Sequence, residues 1–302
     1  MKDIAKILLY FLGTVLLGAI LAPLLFWAGQ FVADHGVATF LKTADFHRFF
    51  DRGILIAAIV LLWPLSRSLN IRKISDFGLK PNAQWKRDLL IGLAVAIVSS
   101  LVLTACAALL HAWRMPPHSR WIRLLAILPT AAVVATLEEM LFRGAIQGIV
   151  QRSTSRTVTV IFVAALFAIV HFLKPPQQDI PAETIGWLSG FALIPQTLWQ
   201  FENPVTLLGG FTTLFVVALI LGFARLKTLS LWLPAGLHAG WIIGKTIGTT
   251  GWTKSGRHGS AHLPWFGADL LTGLCPVLIL LATGALLVWW LERRAPATKL
   301  SA

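Results

Sequence analysis

Two adjacent carboxylates and one guanidinium lie within a stretch of chain that is otherwise almost wholly apolar. Glu138, Glu139 and Arg143 fall inside the run from Leu124 to Val150. An ionised side chain at membrane depth costs roughly 2.5–3.5 kcal/mol on insertion scales and usually faces a bundle interior or a watery cavity. Of the 13 acidic residues, only these two lie well inside an apolar segment. Their types and position predict base chemistry or proton transfer.

The helical spacing of these three residues separates their roles. Residues four apart lie about 40° apart around a helix axis, and residues five apart lie about 140° apart. Arg143 therefore faces Glu139, and we predict a buried ion pair that supports the site. Glu138 points in another direction, where water and other polar groups decide whether it is ionised. That environment suits a general base.

Two histidines are candidates to join Glu138. Of the eight histidines, only His171 and His238 lie within apolar segments. One carboxylate and two imidazoles from three helices can converge in a bundle core. They could bind a divalent cation such as zinc, or act as a base and imidazole donors around a scissile carbonyl. Phe167, one turn before His171 on the same face, is a candidate to pack beside the site.

The composition predicts the elements that must position these residues. The chain is 56% hydrophobic and 13% charged, and recurring apolar segments have the length of about 20 residues that a membrane-crossing helix needs. We predict an all-α, polytopic membrane helix bundle of about eight transmembrane helices, in a single integral membrane domain over residues 1–302. The predicted spans are 7–32, 53–69, 88–111, 124–150, 157–173, 205–224, 229–248 and 268–292.

Proline and glycine modify this pattern. Pro64 is predicted to break the second span and Pro234 to open the seventh, while 185–199 is predicted to be interfacial or re-entrant. Small residues at four-residue spacing let membrane helices approach closely. Two such sets are candidates for helix contacts: Gly144 with Gly148, and a ridge of Gly236, Gly240, Gly244 and Gly248. The ridge lies about 160–200° around the helix from His238, which allows the histidine to face a cavity.

The net charge of +13 does not indicate nucleic-acid binding, because the basic residues fall between apolar segments rather than on one soluble face. Membrane topology explains them better, and the larger Lys/Arg share lies on the side that carries both termini. The positive-inside rule then predicts that both termini are cytoplasmic. The expected partners are membrane lipids.

Three short motifs resemble those of the CAAX-protease and bacteriocin-processing (CPBP) family of intramembrane peptidases, which includes the type II CAAX prenyl endopeptidases. They are EEMLFR at 138–143, FAIVH at 167–171 and the GLHAGW region at 236–241, in matching order and spacing, within a core of about 124–248. The resemblance implies an eight-helix peptidase of a bacterial inner membrane. It implies that Glu138 activates a water and that His171 and His238 hold a metal or the developing oxyanion. Zinc-dependent and metal-free catalysis have both been proposed in the family.

The third motif departs from the family pattern. The family usually has Asn or Asp four residues after the histidine, and this chain has Ile242. Removing one oxyanion donor typically lowers the rate by about 10²–10³. Lys245 lies about 20° off the face of His238 and roughly 10 Å further along the axis. We hypothesise that it points into the same cavity and partly substitutes as a cation, while Trp241 packs or lines the substrate side.

Three functions compete. The first is an intramembrane endopeptidase that hydrolyses a membrane-associated, lipidated or hydrophobic peptide or a membrane protein. The second is a proton-coupled transporter with a Glu/His relay, although the sequence lacks the two related halves common in transporters. The third is a catalytically lapsed relative that acts as an immunity or scaffold protein, which Ile242 favours.

Overall fold

The protein is represented by a computed structural model, which describes residues 2–73, 77, 79, 84–114, 123–177, 180–202, 204–251, 253–254, 264–267 and 270–294. Its α-helices are α1 (Lys2–Asp34), α2 (Phe46–Ser68), α3 (Trp85–Leu109), α4 (Arg123–Glu139), α5 (Gln147–Val150), α6 (Arg156–Val170), α7 (Ser189–Gln196), α8 (Pro204–Thr228), α9 (Trp232–Gly251) and α10 (Leu274–Arg293). A π-helical segment, Met140–Ile146, joins α4 to α5, and 3-10 helices cover Thr39–Thr43, Ala182–Thr184 and Trp199–Glu202.

Six stretches of helix are long and apolar enough to cross a membrane. They are α1, α2, α3, the continuous run through α4 and α5, α8 and α10. The two other predicted spans correspond to α6, which is apolar but has 15 residues, and to α9, which has 20. All eight predicted spans are helical, so the predicted all-α, polytopic membrane fold is confirmed. Residues 268–269 of the last predicted span lie outside the described residues.

The second span differs from its prediction. α2 begins at Phe46 rather than at residue 53, and Pro64 lies inside the helix instead of breaking it. A proline removes one backbone donor, and membrane helices tolerate that loss because neighbouring groups satisfy the freed carbonyl. Pro234 falls in the first turn of α9, as predicted. The only α-helix in the 185–199 segment is the eight-residue α7, about 12 Å long, which is too short to cross a membrane.

The chain divides into two compact units. The first comprises Met1–Arg72 and Val170–Pro204, and the second comprises Lys73–Ile169 and Val205–Ala302. In the first unit, α1 packs along α2 and against α7. The crossing of α1 and α2 is close, because a Cβ atom on Gly53 would lie 2.6 Å from the carbonyl oxygen of Gly18. A single domain over 1–302 stays a prediction.

In the second unit, α3 and α9 run parallel in close contact. The ridge glycines of α9 meet successive turns of α3, at Leu89, Leu93, Ser100 and Thr104. The predicted ridge is therefore confirmed as the contact face of α9. α4 also packs on α9, and α10 packs on α3. Beyond the two helices, Trp113–Arg114 and Thr253–Lys254 form a two-residue antiparallel ladder, a pairing that the all-helical prediction did not include.

Candidate active site

The two candidate carboxylates lie where regular α-helix ends. Glu138 and Glu139 are the last residues of α4, and the π-helical segment begins at Met140. π-Helical turns are rare and frequently occur at functional sites, because the extra residue per turn changes the direction of the side chains that follow. Gly144 lies within this segment, and a Cβ atom there would be 2.9 Å from the carbonyl oxygen of Phe77. The segment is thus held close to another part of the second unit.

The predicted pair between Glu139 and Arg143 is present. Arg143 Nη1 donates to Glu139 Oε1 at 2.9 Å, and both side chains are completely buried. Arg143 also donates through Nη2 to the backbone carbonyl of Ala218 on α8, at 3.3 Å. Opposite charges in contact offset much of the cost of taking each from water. The pair therefore fixes both side chains inside the bundle.

Glu139 has a second partner that the sequence did not predict. His238 Nδ1 lies 2.9 Å from the same Glu139 oxygen that Arg143 contacts. A carboxylate oxygen accepts hydrogen bonds, so Nδ1 is the donor and carries a proton. This contact orients the imidazole and directs Nε2 away from Glu139. It gives Glu139 the role of holding the ring as well as pairing with Arg143.

Glu138 and His238 converge, as predicted. His238 Nε2 lies 3.8 Å from Glu138 Oε2, and the Glu138 side chain is 29% exposed while His238 is almost buried. A carboxylate that is partly accessible and faces an oriented ring nitrogen can share a water molecule with it. The remaining predicted site histidine, His171, lies half-buried in the turn after α6, at the start of the first unit's second segment. Its role stays a prediction.

Aromatic rings enclose the charged cluster. Phe167 is buried, and its ring centre lies 4.5 Å from the Arg143 guanidinium and 5.8 Å from the centre of the His238 ring. Phe142 contacts Phe167 edge to face, with ring centres 5.0 Å apart. A cation over an aromatic face gains electrostatic stabilisation, more so where water is excluded. Phe167 therefore packs against both Arg143 and His238.

The other candidates on α9 have different surroundings. Trp241 donates from Nε1 to Ser99 Oγ on α3 at 3.0 Å, which ties it to helix packing. Ile242 is half-buried one turn after His238. Lys245 is exposed, so the cavity role proposed for it from the sequence stays a hypothesis. The close contact predicted for Gly148 is not found among the described residues: outside its own helix and chain neighbours, no described atom lies within 4 Å of a Cβ atom placed there. The small residue alone did not indicate a neighbour.

The sequence analysis missed Gln147. Its side chain is buried, and its Nε2 donates to the backbone carbonyl of Gly222 on α8 at 3.3 Å. The signal was available, since Gln147 is a polar residue in the same apolar run as Glu138, and such residues usually face a bundle interior. It lies one turn beyond Arg143 and contacts the same helix.

The donor atoms near Glu138 can be compared with those that a zinc ion requires. A catalytic zinc ion takes three protein ligands and leaves one position open. Within the described part of the chain, no group of three His, Cys, Asp or Glu side chains could hold a metal ion. Glu138 and His238 alone present two donor atoms, which does not complete that set. The zinc set predicted from the resemblance (Glu138, His171 and His238) therefore remains a prediction.

Comparison with known proteins supports the resemblance. Residues 119–243 match the model of a family described as type II CAAX prenyl endopeptidase Rce1-like. The matched range contains the EEMLFR and FAIVH motifs and the GLHAGW region. No curated protein and no solved structure matches the chain. Over residues 119–243, the chain thus resembles the Rce1-like type II CAAX prenyl endopeptidases, in line with its three motifs.

Proposed function

We propose that the chain is an intramembrane endopeptidase in which Glu138 activates a water for attack on a peptide carbonyl. The observation that supports it best is that Glu138 and Glu139, at the end of α4, lie beside the two ring nitrogens of His238 on α9. The family match supports a CAAX-type protease in general terms. The substrate class we propose is a membrane-associated peptide, either lipidated or hydrophobic.

Charge balance supports a particular resting state. Glu139, Arg143 and His238 share one hydrogen-bonded cluster beside Glu138. With both glutamates ionised, a protonated His238 balances the charges of these four residues, which lowers the cost of burying them. In that form Nδ1–H donates to Glu139, while Nε2–H faces the space beside Glu138. The proposed site thus combines a base with a positioned donor.

The steps follow from these positions. A water hydrogen-bonded to Glu138 Oε2 loses a proton to that carboxylate as its oxygen bonds to the scissile carbonyl carbon. The carbonyl oxygen becomes an oxyanion, which Nε2–H of His238 stabilises by donating to it. Glu138 then returns the proton to the leaving amine nitrogen as the C–N bond breaks. His171 is the second donor that the resemblance implies, and this role rests on the sequence alone.

The chain's own groups are sufficient for this scheme, so we propose a mechanism that needs no metal. We also propose that the host membrane is a bacterial inner membrane and, from the Lys/Arg distribution, that both termini are cytoplasmic. Reporter fusions at each terminus test the orientation. Reporters that are active only outside the cytoplasm would overturn it.

The function is tested with purified protein and a library of hydrophobic and lipidated peptides. Cleavage that depends on Glu138 supports the peptidase; Glu183→Gln is the matched control, since Glu183 is an exposed residue in the first unit. A pH-driven flux in liposomes without cleavage would instead support the transporter. Neither activity, together with a bound protein partner, would support the lapsed relative.

A further inference from the structure

Arg143 and Gln147 attach the π-helical segment to α8 through two successive hydrogen bonds. Arg143 Nη2 donates to the carbonyl of Ala218. Gln147 Nε2 donates to the carbonyl of Gly222. Both bonds measure 3.3 Å, and donors and acceptors are each spaced by four residues. The two contacts are therefore consecutive rungs between the same pair of helices.

The backbone of α8 can accept both hydrogen bonds, and its small residues leave room for the two donor side chains. A helical carbonyl that bonds within its own helix keeps a second lone pair, so it can accept another donor. Ala218 and Gly222 are small and buried, which allows side chains to reach the α8 backbone. A Cβ atom on Gly222 would lie 3.1 Å from Val160 Cγ1 and 3.5 Å from Gln147 Oε1. A larger side chain would thus crowd the Gln147 rung.

The two hydrogen bonds to α8 constrain the π-helical segment, whose side-chain directions depend on outside contacts. The π-helical segment lacks the regular i to i−4 bonding that fixes side-chain directions in an α-helix. Glu139, directly before the segment, must reach both Arg143 and His238 with one carboxylate oxygen. An additional anchor beyond Arg143 reduces the freedom of the segment to rotate about its axis. Gln147 is the described side chain in that place.

We propose that Gln147 is a positioning residue, which fixes the rotation of the π-helical segment on α8 so that Glu139 holds the His238 ring. Gln147 does not contact the reacting groups; it acts through Arg143 and Glu139. The consequence for cleavage rests on the proposed function, whereas the consequence for the Glu139–His238 hydrogen bond does not.

Two variants of Gln147 remove the rung in different ways. Gln147→Met keeps the volume and removes the donor, and Gln147→Asn keeps the amide but is one methylene too short to reach Gly222. The control is Thr283→Val on α10, which removes a buried hydroxyl that, among the described residues, bonds only the Ile279 carbonyl of its own helix. Should the methionine variant not fold, the asparagine variant serves alone.

The first measurement is the Nδ1–H proton resonance of His238 in 15N-histidine-labelled protein in micelles, assigned by its loss in His238→Gln. A proton held between Nδ1 and a carboxylate resonates downfield. We expect both Gln147 variants to lose or broaden this resonance and Thr283→Val to retain it. Retention in both Gln147 variants, or its absence from the unmodified protein, would overturn the proposal.

The second measurement is cleavage of whichever library peptide the unmodified protein hydrolyses. A misplacement of about 1 Å costs up to about 10²-fold in rate, so we expect kcat to fall by about 10–100-fold while KM stays within about twofold. An equal loss in Thr283→Val would show a general packing effect and contradict the proposal. If no peptide is cleaved, the proposed function fails, and the resonance still decides the role of Gln147.

Discussion

His238 Nδ1 lies 2.9 Å from Glu139 Oε1, the same oxygen that accepts from Arg143. One carboxylate oxygen thus connects a cation on its own helix to an imidazole on α9. Glu139 therefore links α4 to α9 in the second unit through its hydrogen bond with His238. The preceding carboxylate along the chain, Glu138, is 3.8 Å from the opposite nitrogen of the same ring.

Replacing Glu139 by glutamine should slow cleavage without removing the base. The amide side chain keeps the shape of the carboxylate but loses the charge that favours a protonated, oriented His238. Changing the carboxylate partner of a catalytic histidine to an amide can cost about 10⁴ in kcat, and we expect a fall of about 10²–10⁴. The measurement is kcat on a cleaved peptide, with Glu183→Gln as the control. Unchanged kcat in Glu139→Gln would remove the orienting role of Glu139.

The buried ion pair should show strong non-additivity in stability. Arg143→Met removes one of the two cationic partners of the buried Glu139 and leaves the charges of the cluster unbalanced, which should cost about 3–5 kcal/mol. In the double variant Glu139→Gln/Arg143→Met, no net charge remains in the pair, and most of that loss should be recovered. Unfolding in mixed micelles by denaturant measures both single variants and the double variant. Equal losses in the single and double variants would contradict the coupling.

The glycine ridge should be sensitive to a single methyl group. A Cβ atom on Gly240 would lie 2.6 Å from the Leu93 carbonyl oxygen and 2.7 Å from Ala96 Cβ. Because backbone cannot yield as a flexible side chain can, Gly240→Ala should force α9 from α3 and destabilise by about 1–3 kcal/mol. Gly148→Ala is the control, since no described atom is within 4 Å of its Cβ position. For Gly148→Ala we expect an unchanged free energy of unfolding or a gain of up to about 1 kcal/mol.

Gly240→Ala should also lower the rate of peptide cleavage. α9 carries His238 on the face away from the ridge, so displacing the helix should lower cleavage together with stability. The measurement is kcat and unfolding on the same preparations. Gly240→Ala with unchanged stability would mean that the parallel α3–α9 contact is looser than described.

A second ion pair ties the end of α10 to the start of α3. Arg294 Nη1 lies 2.6 Å from Asp88 Oδ1, and the Asp88 side chain is 1% exposed. Arg294→Gln leaves that carboxylate unpaired, and we expect a loss of about 3–5 kcal/mol. The control is Lys42→Gln, which removes an exposed pair with Asp34 and should cost under about 1 kcal/mol. Similar losses from both would refute the structural role of the buried pair.

Part of the site could be predicted from the sequence because its determinants are local. The Glu139–Arg143 pair follows from four-residue spacing, and the glycine ridge of α9 follows from the same period. The convergence of Glu138 with His238 follows from the cost of placing ionisable groups in an apolar segment. Each inference needs only the helix period and the polarity of the surrounding residues.

The parts that were missed depend on geometry between helices. No residue pattern marks the π-helical segment at Met140, and the bond between Glu139 and His238 requires the register of α4 against α9. Gln147 was visible as a polar residue, but its acceptor on α8 was not. The start of α2 at Phe46 was missed because several charged residues in its first turns resemble a loop, whereas a helix end can hold them at the membrane surface.

The most direct test of the account is peptide cleavage by the unmodified protein and by Glu138→Gln, each with and without a chelator. We expect cleavage that is indifferent to the chelator and that falls by about 10²–10⁴-fold in Glu138→Gln, in protein that still folds. Cleavage that Glu138→Gln retains would contradict the central claim. Cleavage that chelation abolishes and added zinc restores would contradict the metal-free mechanism.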